Sequence, residues 1–146
     1  MCKKIIHIGA NKTASTTLQR HLFAKSRQII YIGEDCKDYD RYKNSILSLI
    51  SDDDIYFDDS SASSIFENAA KTAGGKTLVF SSEDMMTSHV PSVCAQRLSK
   101  FLPDAEILLV IRNQLTAVPS MYANHGAYLR NIPRRYWRRY VSFDEW

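Results

Sequence analysis

The chain lacks the features that would staple it or anchor it. Its three cysteines, Cys2, Cys36 and Cys94, are odd in number and form no C-x-x-C pair. That pattern excludes a disulfide scaffold and a zinc ribbon and leaves reduced thiols as the simplest reading. No apolar run approaches the ~18 residues of a membrane span. The opening MCKKIIHIG is basic and then apolar, but His7 interrupts it and no cleavage-like segment follows, so it reads as a first strand and not as a leader. The expectation is a soluble, cytoplasmic protein. Glycine and proline are scarce, 5 and 4 in 146 residues, and no linker, internal repeat or low-complexity tract divides the chain. Residues 1–146 are read as one domain, long enough to bury about two thirds of its unfolded surface.

Charge is mild in sum, +3 at pH 7, but unevenly placed. SDDDIYFDDS carries five aspartates, and five arginines fall between Arg130 and Arg139. The aspartates have neither the spacing nor the glycine of an EF-hand, so a solvated loop is expected there and no metal site. RNIPRRYWRRY interleaves arginines with aromatics, a pattern that grips polysaccharides or nucleic acid but is more often a solvated helix face. No nucleic-acid partner is assigned to it.

Apolar runs and helical periods alternate along the chain. Residues 4–8 suit a buried parallel strand, and residues 16–24 a helix with Leu18 and Leu22 on one face. Residues 29–32 are a second strand. Residues 39–50 form a helix with Tyr42, Ile46, Leu49 and Ile50 on its apolar side, and residues 60–73 form another, stopped by Gly74-Gly75. KTLVFS, residues 76–81, has the branching of an inner strand. A helix from Pro91 or Ser92 places Cys94, Leu98, Phe101 and Leu102 together, which makes Cys94 a core residue. AEILLVIR is the most hydrophobic strand. Strands alternating with helices predict an α/β fold, a parallel β-sheet flanked by helices on both faces, with ligands at the carboxyl ends of the strands.

Three loops following strands carry chemistry: GANKTAST, SSED and RNQLT. The first lacks the lysine of a nucleotide-triphosphate loop. In the register G-x-x-x-x-G-K-[ST], Gly9 is followed by Ala14, Ser15 and Thr16, while Lys12 stands three residues before the expected place. Backbone amides around residues 13–16 and a helix N-terminus would hold an anion, with Lys12 supplying full charge. In the third loop Arg112 and Ser120 offer a guanidinium fork and a hydroxyl as a second anion site. Thr116 is expected to cap that helix, which would put Pro119 in its first turn, with Leu115, Val118, Tyr122 and Leu129 as a buried stripe. The plain alternatives are a polar capped turn and an Arg112–carboxylate pair. His7 reads as a strand residue in a core or edge role, His21 as riding the first helix, and His89 and His125 as neighbours of the loops.

HIGANKTASTTLQ resembles the 5′-phosphosulfate loop of sulfotransferases, close to HIG-x-P-K-[TS]-G-T-[TS]-x-L. ILLVIRNQLTAVPSMY resembles their 3′-phosphate segment, close to [VIL]-x-R-N-P-x-D-R-x-x-S-x-Y. Arg112 and Ser120 stand eight apart as in that motif, and Tyr122 follows. Asn11 replaces the family's proline and Ala14 its glycine, Gln114 its second proline, and Thr116 with Ala117 its Asp-Arg pair. The resemblance implies a P-loop NTPase-like sulfotransferase fold, here incomplete, and a donor, 3′-phosphoadenosine-5′-phosphosulfate (PAPS), without a metal.

It further implies that Asn11, Lys12, Thr13, Ala14, Ser15, Thr16 and Thr17 hold the 5′-phosphosulfate and Arg112 with Ser120 the 3′-phosphate. The sulfuryl group would pass to a hydroxyl or amine, by family analogy on a bacterial glycan or a lipid-linked sugar. Lys12 would serve the bridging oxygen, and Glu83 in FSSEDM is the candidate base for the acceptor proton, with Asp84 the lesser one. Family members continue to a basic, glycine-containing loop beyond SFDEW, so the chain is expected to be cut short. The rival readings are a P-loop small-molecule kinase and a truncated, non-catalytic nucleotide- or polyanion-binding module.

Overall fold

The computed structural model describes residues 2–10 and 13–125. Its elements alternate as the sequence predicts: β1 (Lys4–Gly9), α1 (Ser15–Thr17) running on into a π-helical segment (Leu18–Phe23), β2 (Ile29–Gly33), α2 (Tyr39–Ser51), α3 (Asp59–Thr72), β3 (Thr77–Ser81), a 3-10 turn (Asp84–Met86), α4 (Pro91–Phe101), β4 (Glu106–Val110) and α5 (Gln114–His125). The four strands are parallel, in the order β2-β3-β1-β4. From β1 to β2 the chain steps one way along the sheet, and from β2 through β3 to β4 it steps the other way. Right-handed crossovers therefore send the first helix to one face and α2, α3 and α4 to the opposite one.

The two faces are chemically unlike because side chains alternate along each strand. Ile6, Ile32, Leu78 and Phe80 point toward α2–α4 and join Ile46, Leu49, Ile50, Ala62, Phe66, Cys94, Leu98 and Leu102 in one buried cluster. Phe66 stacks on Phe101 with ring centroids 5.5 Å apart and meets Phe80 edge-on at the same distance. Each such side chain contributes about 1.5–3 kcal/mol by leaving water. On the other face His7, Val79 and Ser81 lie buried beneath Gln19 and Phe23, and Phe23 packs its ring edge-on against His7 at 5.3 Å.

Helix ends follow local chemistry. Asp58 caps α3, accepting from the amides of Ser60 and Ser61 and from both hydroxyls. Those bonds, that of the Ser61 hydroxyl first, hold the exposed Asp58 carboxyl down to about 2. Gly74 and Gly75, at φ 52° and 86°, stop α3 as expected. The C-terminus of α2 is held by a residue that periodicity hides. Arg97 of α4 is buried, and its Nη1 donates to the carbonyls of Ser48, Leu49 and Asp52 at 3.2, 3.2 and 2.8 Å. Its Nη2 donates to Asp54 at 2.7 Å, and the guanidinium lies over the Phe57 ring at 4.1 Å.

Three expectations are corrected. The first helix buries Ser15, Gln19 and Phe23 and leaves Leu22 half exposed. The cause is a π turn, with the Ala24 amide donating to the Gln19 carbonyl at 2.9 Å, which rotates the expected leucine face outward. Helix α5 begins at Gln114, capped by Asn113, whose Oδ1 accepts from the Leu115 amide at 2.9 Å. Pro119 thus lies inside the helix and not in its first turn, and Ser120 sits nearly two turns from the N-terminus. The expected α5 stripe is not buried at Leu115, which is 84% exposed, nor at Val118; Leu129 lies outside the described residues. Among the described residues β4, the most hydrophobic strand by sequence, is an edge strand paired to β1 alone, with Ile107, Leu108 and Leu109 exposed.

Candidate functional site

The site begins with a close approach that only glycine permits. A Cβ on Gly9 would stand 1.7 Å from Ser15 Oγ, so the bare backbone at the end of β1 lets the start of the first helix fold over it. Ser15 is consequently buried, and its hydroxyl pairs with Thr13 Oγ1 at 3.1 Å, while that oxygen donates to the Ala10 carbonyl at 2.6 Å. The Thr13 amide donates to the same carbonyl at 3.3 Å. The Ser15 and Thr13 hydroxyls therefore brace the loop from inside. Thr16 and Thr17 are exposed, and Asn11 and Lys12 lie outside the described residues.

Ala14 links loop to helix in the left-handed conformation, φ 66° and ψ 21°, with its carbonyl accepting from the amides of Thr17 and Leu18. A Cβ is disfavoured there by roughly 1–2 kcal/mol, partly offset by the greater entropy glycine loses on folding. Ala14→Gly is therefore expected to stabilise the protein by about 1 kcal/mol, roughly 2–4 °C in Tm for a chain this size, measurable by thermal denaturation. An unchanged or lower Tm would contradict the strain.

Under the loop lies a buried polar layer. His7 Nδ1 is 2.7 Å from Ser81 Oγ, and Gln19 Nε2 donates to the same oxygen at 3.0 Å. His7 Nε2 and Gln19 Oε1 are buried without a hydrogen-bond partner. Burial holds the His7 imidazole below its ordinary pKa, so it is neutral in the fold. A depressed histidine favours folding at pH above the unfolded value of ~6.5, and this contribution is lost as pH falls through the folded pKa. Resistance to urea should therefore weaken from pH 7 to pH 5, and less steeply in His7→Gln. Equal slopes would contradict this reading.

The second loop leaves β3 at Ser82. Its hydroxyl accepts from the Asp84 amide at 3.2 Å, setting the turn. Glu83 is half-buried and precedes the 3-10 turn without a side-chain cap bond to it. Tyr39, at the start of α2, has its phenol pushed up to about 12, by burial first and then by the charges of Glu34 and Asp84. The beginning of α2 thus stands close to this loop. His89 is exposed just beyond it.

The third loop leaves β4. Arg112 is exposed and its Nε donates to Thr116 Oγ1 at 3.1 Å, while Thr116 Oγ1 donates to the Asn113 carbonyl at 3.0 Å. Thr116 therefore orients Arg112 from within the first turn of α5 and does not cap the helix. Ser120 is half-buried further along. The Ala10 amide donates to the Val110 carbonyl at 3.3 Å, which joins the start of the first loop to the segment just before Arg112. Because β1 lies between β3 and β4, all three loops leave neighbouring strands at one sheet edge, and the connections from β1 and β3 run in opposite directions. Such an edge is where open α/β sheets bind ligands. Sequence reasoning missed Gln19 and Ser81; the one available signal was the four-residue spacing of Ser15, Gln19 and Phe23.

Comparison with protein-family models, with curated proteins and with solved structures finds no match for this chain. No helix among the described residues is long and apolar enough to cross a membrane.

Proposed function

We propose that the chain is a sulfotransferase domain that binds PAPS across the loops following β1 and β4 and passes its sulfuryl group to a hydroxyl or amine, with a glycan as acceptor. The observation that carries this reading is the strand order. It sets the strand bearing the Lys12 loop between the strand bearing Glu83 and the strand bearing Arg112, all parallel. The donor has phosphates at two ends of one adenosine, and the two motif loops start side by side through the Ala10–Val110 bond.

In this reading the loop after β1 and Lys12 bind the 5′-phosphosulfate, and Arg112, steadied by Thr116, binds the 3′-phosphate with Ser120. Glu83 takes the acceptor's proton as its oxygen or nitrogen bonds to sulfur. The bond from sulfur to the 5′-phosphate oxygen breaks, and adenosine 3′,5′-bisphosphate leaves. Charge gathers on that leaving phosphate in the transition state, so Lys12 and the loop amides favour it over the ground state. The positive charge for this step comes from the protein itself.

Thermal shift tests the reading, because a ligand at 100 times its Kd adds about 2.7 kcal/mol of stability. Adenosine 3′,5′-bisphosphate without magnesium is expected to raise Tm, and PAPS should sulfate at least one member of a carbohydrate panel. A response to Mg-ATP alone would replace the reading with a kinase, and binding without turnover would replace it with a binding module.

A further inference from the structure

We infer that Ser81 is a positioning residue whose hydroxyl fixes the spacing between the loop after β1 and the loop after β3. Three elements converge on its Oγ: β3, to which it belongs, β1 through His7 Nδ1 at 2.7 Å, and the π-helical segment through Gln19 Nε2 at 3.0 Å. His7 and Ser81 are fully buried and Gln19 is 1% exposed, so water does not compete for these bonds. His7 Nε2 and Gln19 Oε1 have no partner, so among the described residues Ser81 is the polar contact that holds each of these two side chains.

The π turn points the same way by a separate route. Its Ala24-to-Gln19 bond departs from regular helix geometry, and it keeps Gln19 in line with buried Ser15 and Phe23, facing the sheet. Such turns are uncommon and tend to occur where a side chain must be re-aimed at a functional place. Gln19 lies one turn beyond Ser15, the anchor of the first loop. Ser81 is the last residue of β3, and Ser82 and Glu83 follow at once. A displacement of the first helix is therefore passed to the Glu83 loop through one oxygen.

The coupling stands on this geometry alone, whereas its catalytic consequence rests on the sulfuryl-transfer reading. Hydrogen exchange on the full chain tests the coupling with Ser81→Ala and Gln19→Leu. Either variant should speed exchange about ten-fold both at residues 13–18 and at residues 82–87, with α2 and α4 unchanged as internal references. Gln19→Leu leaves β3 intact and decides the matter if Ser81→Ala fails to fold. Faster exchange confined to the mutated element, or uniform across the chain, overturns the inference. In the transfer assay Ser81→Ala should lower kcat about ten-fold while the Kd for adenosine 3′,5′-bisphosphate holds within about two-fold. Parallel losses in both would make Ser81 merely structural. A wild-type chain with no transfer at all would sink the sulfotransferase reading and leave exchange to judge the coupling.

Discussion

Arg97→Ala is expected to lower stability by about 3 kcal/mol, and Tm by roughly 6–12 °C, with no effect on the loops at the sheet edge. The guanidinium serves the last turn of α2, where helix carbonyls have no partner within the helix. It meets the carbonyls of Leu49 and of the capping residue Asp52, shares that of Ser48 with the Asp52 amide, and also covers the Phe57 ring. Removing it leaves carbonyls desolvated and unpaired and opens a gap in the packing. The ion pair with Asp54 is the smaller part, since that carboxylate is 80% exposed and such pairs are worth about 0–1 kcal/mol. Asp54→Asn should therefore shift the urea midpoint little and Arg97→Ala a great deal. Comparable shifts would mean that the ion pair, and not the carbonyl cluster, secures α2.

On the proposed sulfuryl-transfer reading, Lys12→Ala is expected to lower kcat by about 10²–10³-fold, the range seen when one preorganised donor to a developing charge is removed. Its effect should fall on kcat more than on donor binding, because the charge it meets grows toward the transition state. Arg112→Ala should do the reverse. The 3′-phosphate is remote from the reacting sulfur and carries the same charge throughout, so this variant raises the Kd of the bisphosphate and the KM of PAPS. Steady-state kinetics beside calorimetry separates the two. Equal loss of binding in both variants would remove Lys12 from the chemistry.

Much of the fold was legible because α2, α3 and α4 repeat apolar residues at helical spacing, and Gly74-Gly75 punctuates where the chain turns. The first helix was not legible in the same way. Leu18 and Leu22 make a convincing stripe in the sequence, yet a π turn aims Ser15 and Gln19 inward, and polar residues buried by a shared hydrogen bond leave no hydrophobic signal. Arg97 was hidden for a similar reason, since a cation three residues after Cys94 reads as the rim of the helix until the carbonyls of α2 are seen beside it.

At the candidate site the sequence singled out three loops, through Lys12, Glu83 and Arg112, which the strand order sets side by side, but not how they are braced. The left-handed turn at Ala14 offered no glycine to announce it. The start of α5 was misjudged because Thr116 is a plausible cap, whereas Asn113 takes that role through its side-chain oxygen.

The most direct test of the two-pocket account is calorimetric titration with adenosine 3′,5′-bisphosphate and with adenosine 5′-phosphate, in the absence of magnesium. One charge-assisted contact to the 3′-phosphate predicts that the bisphosphate binds about 10–100-fold more tightly, and that Arg112→Ala erases this difference. Equal affinity for the two nucleotides in the unaltered chain would contradict the account.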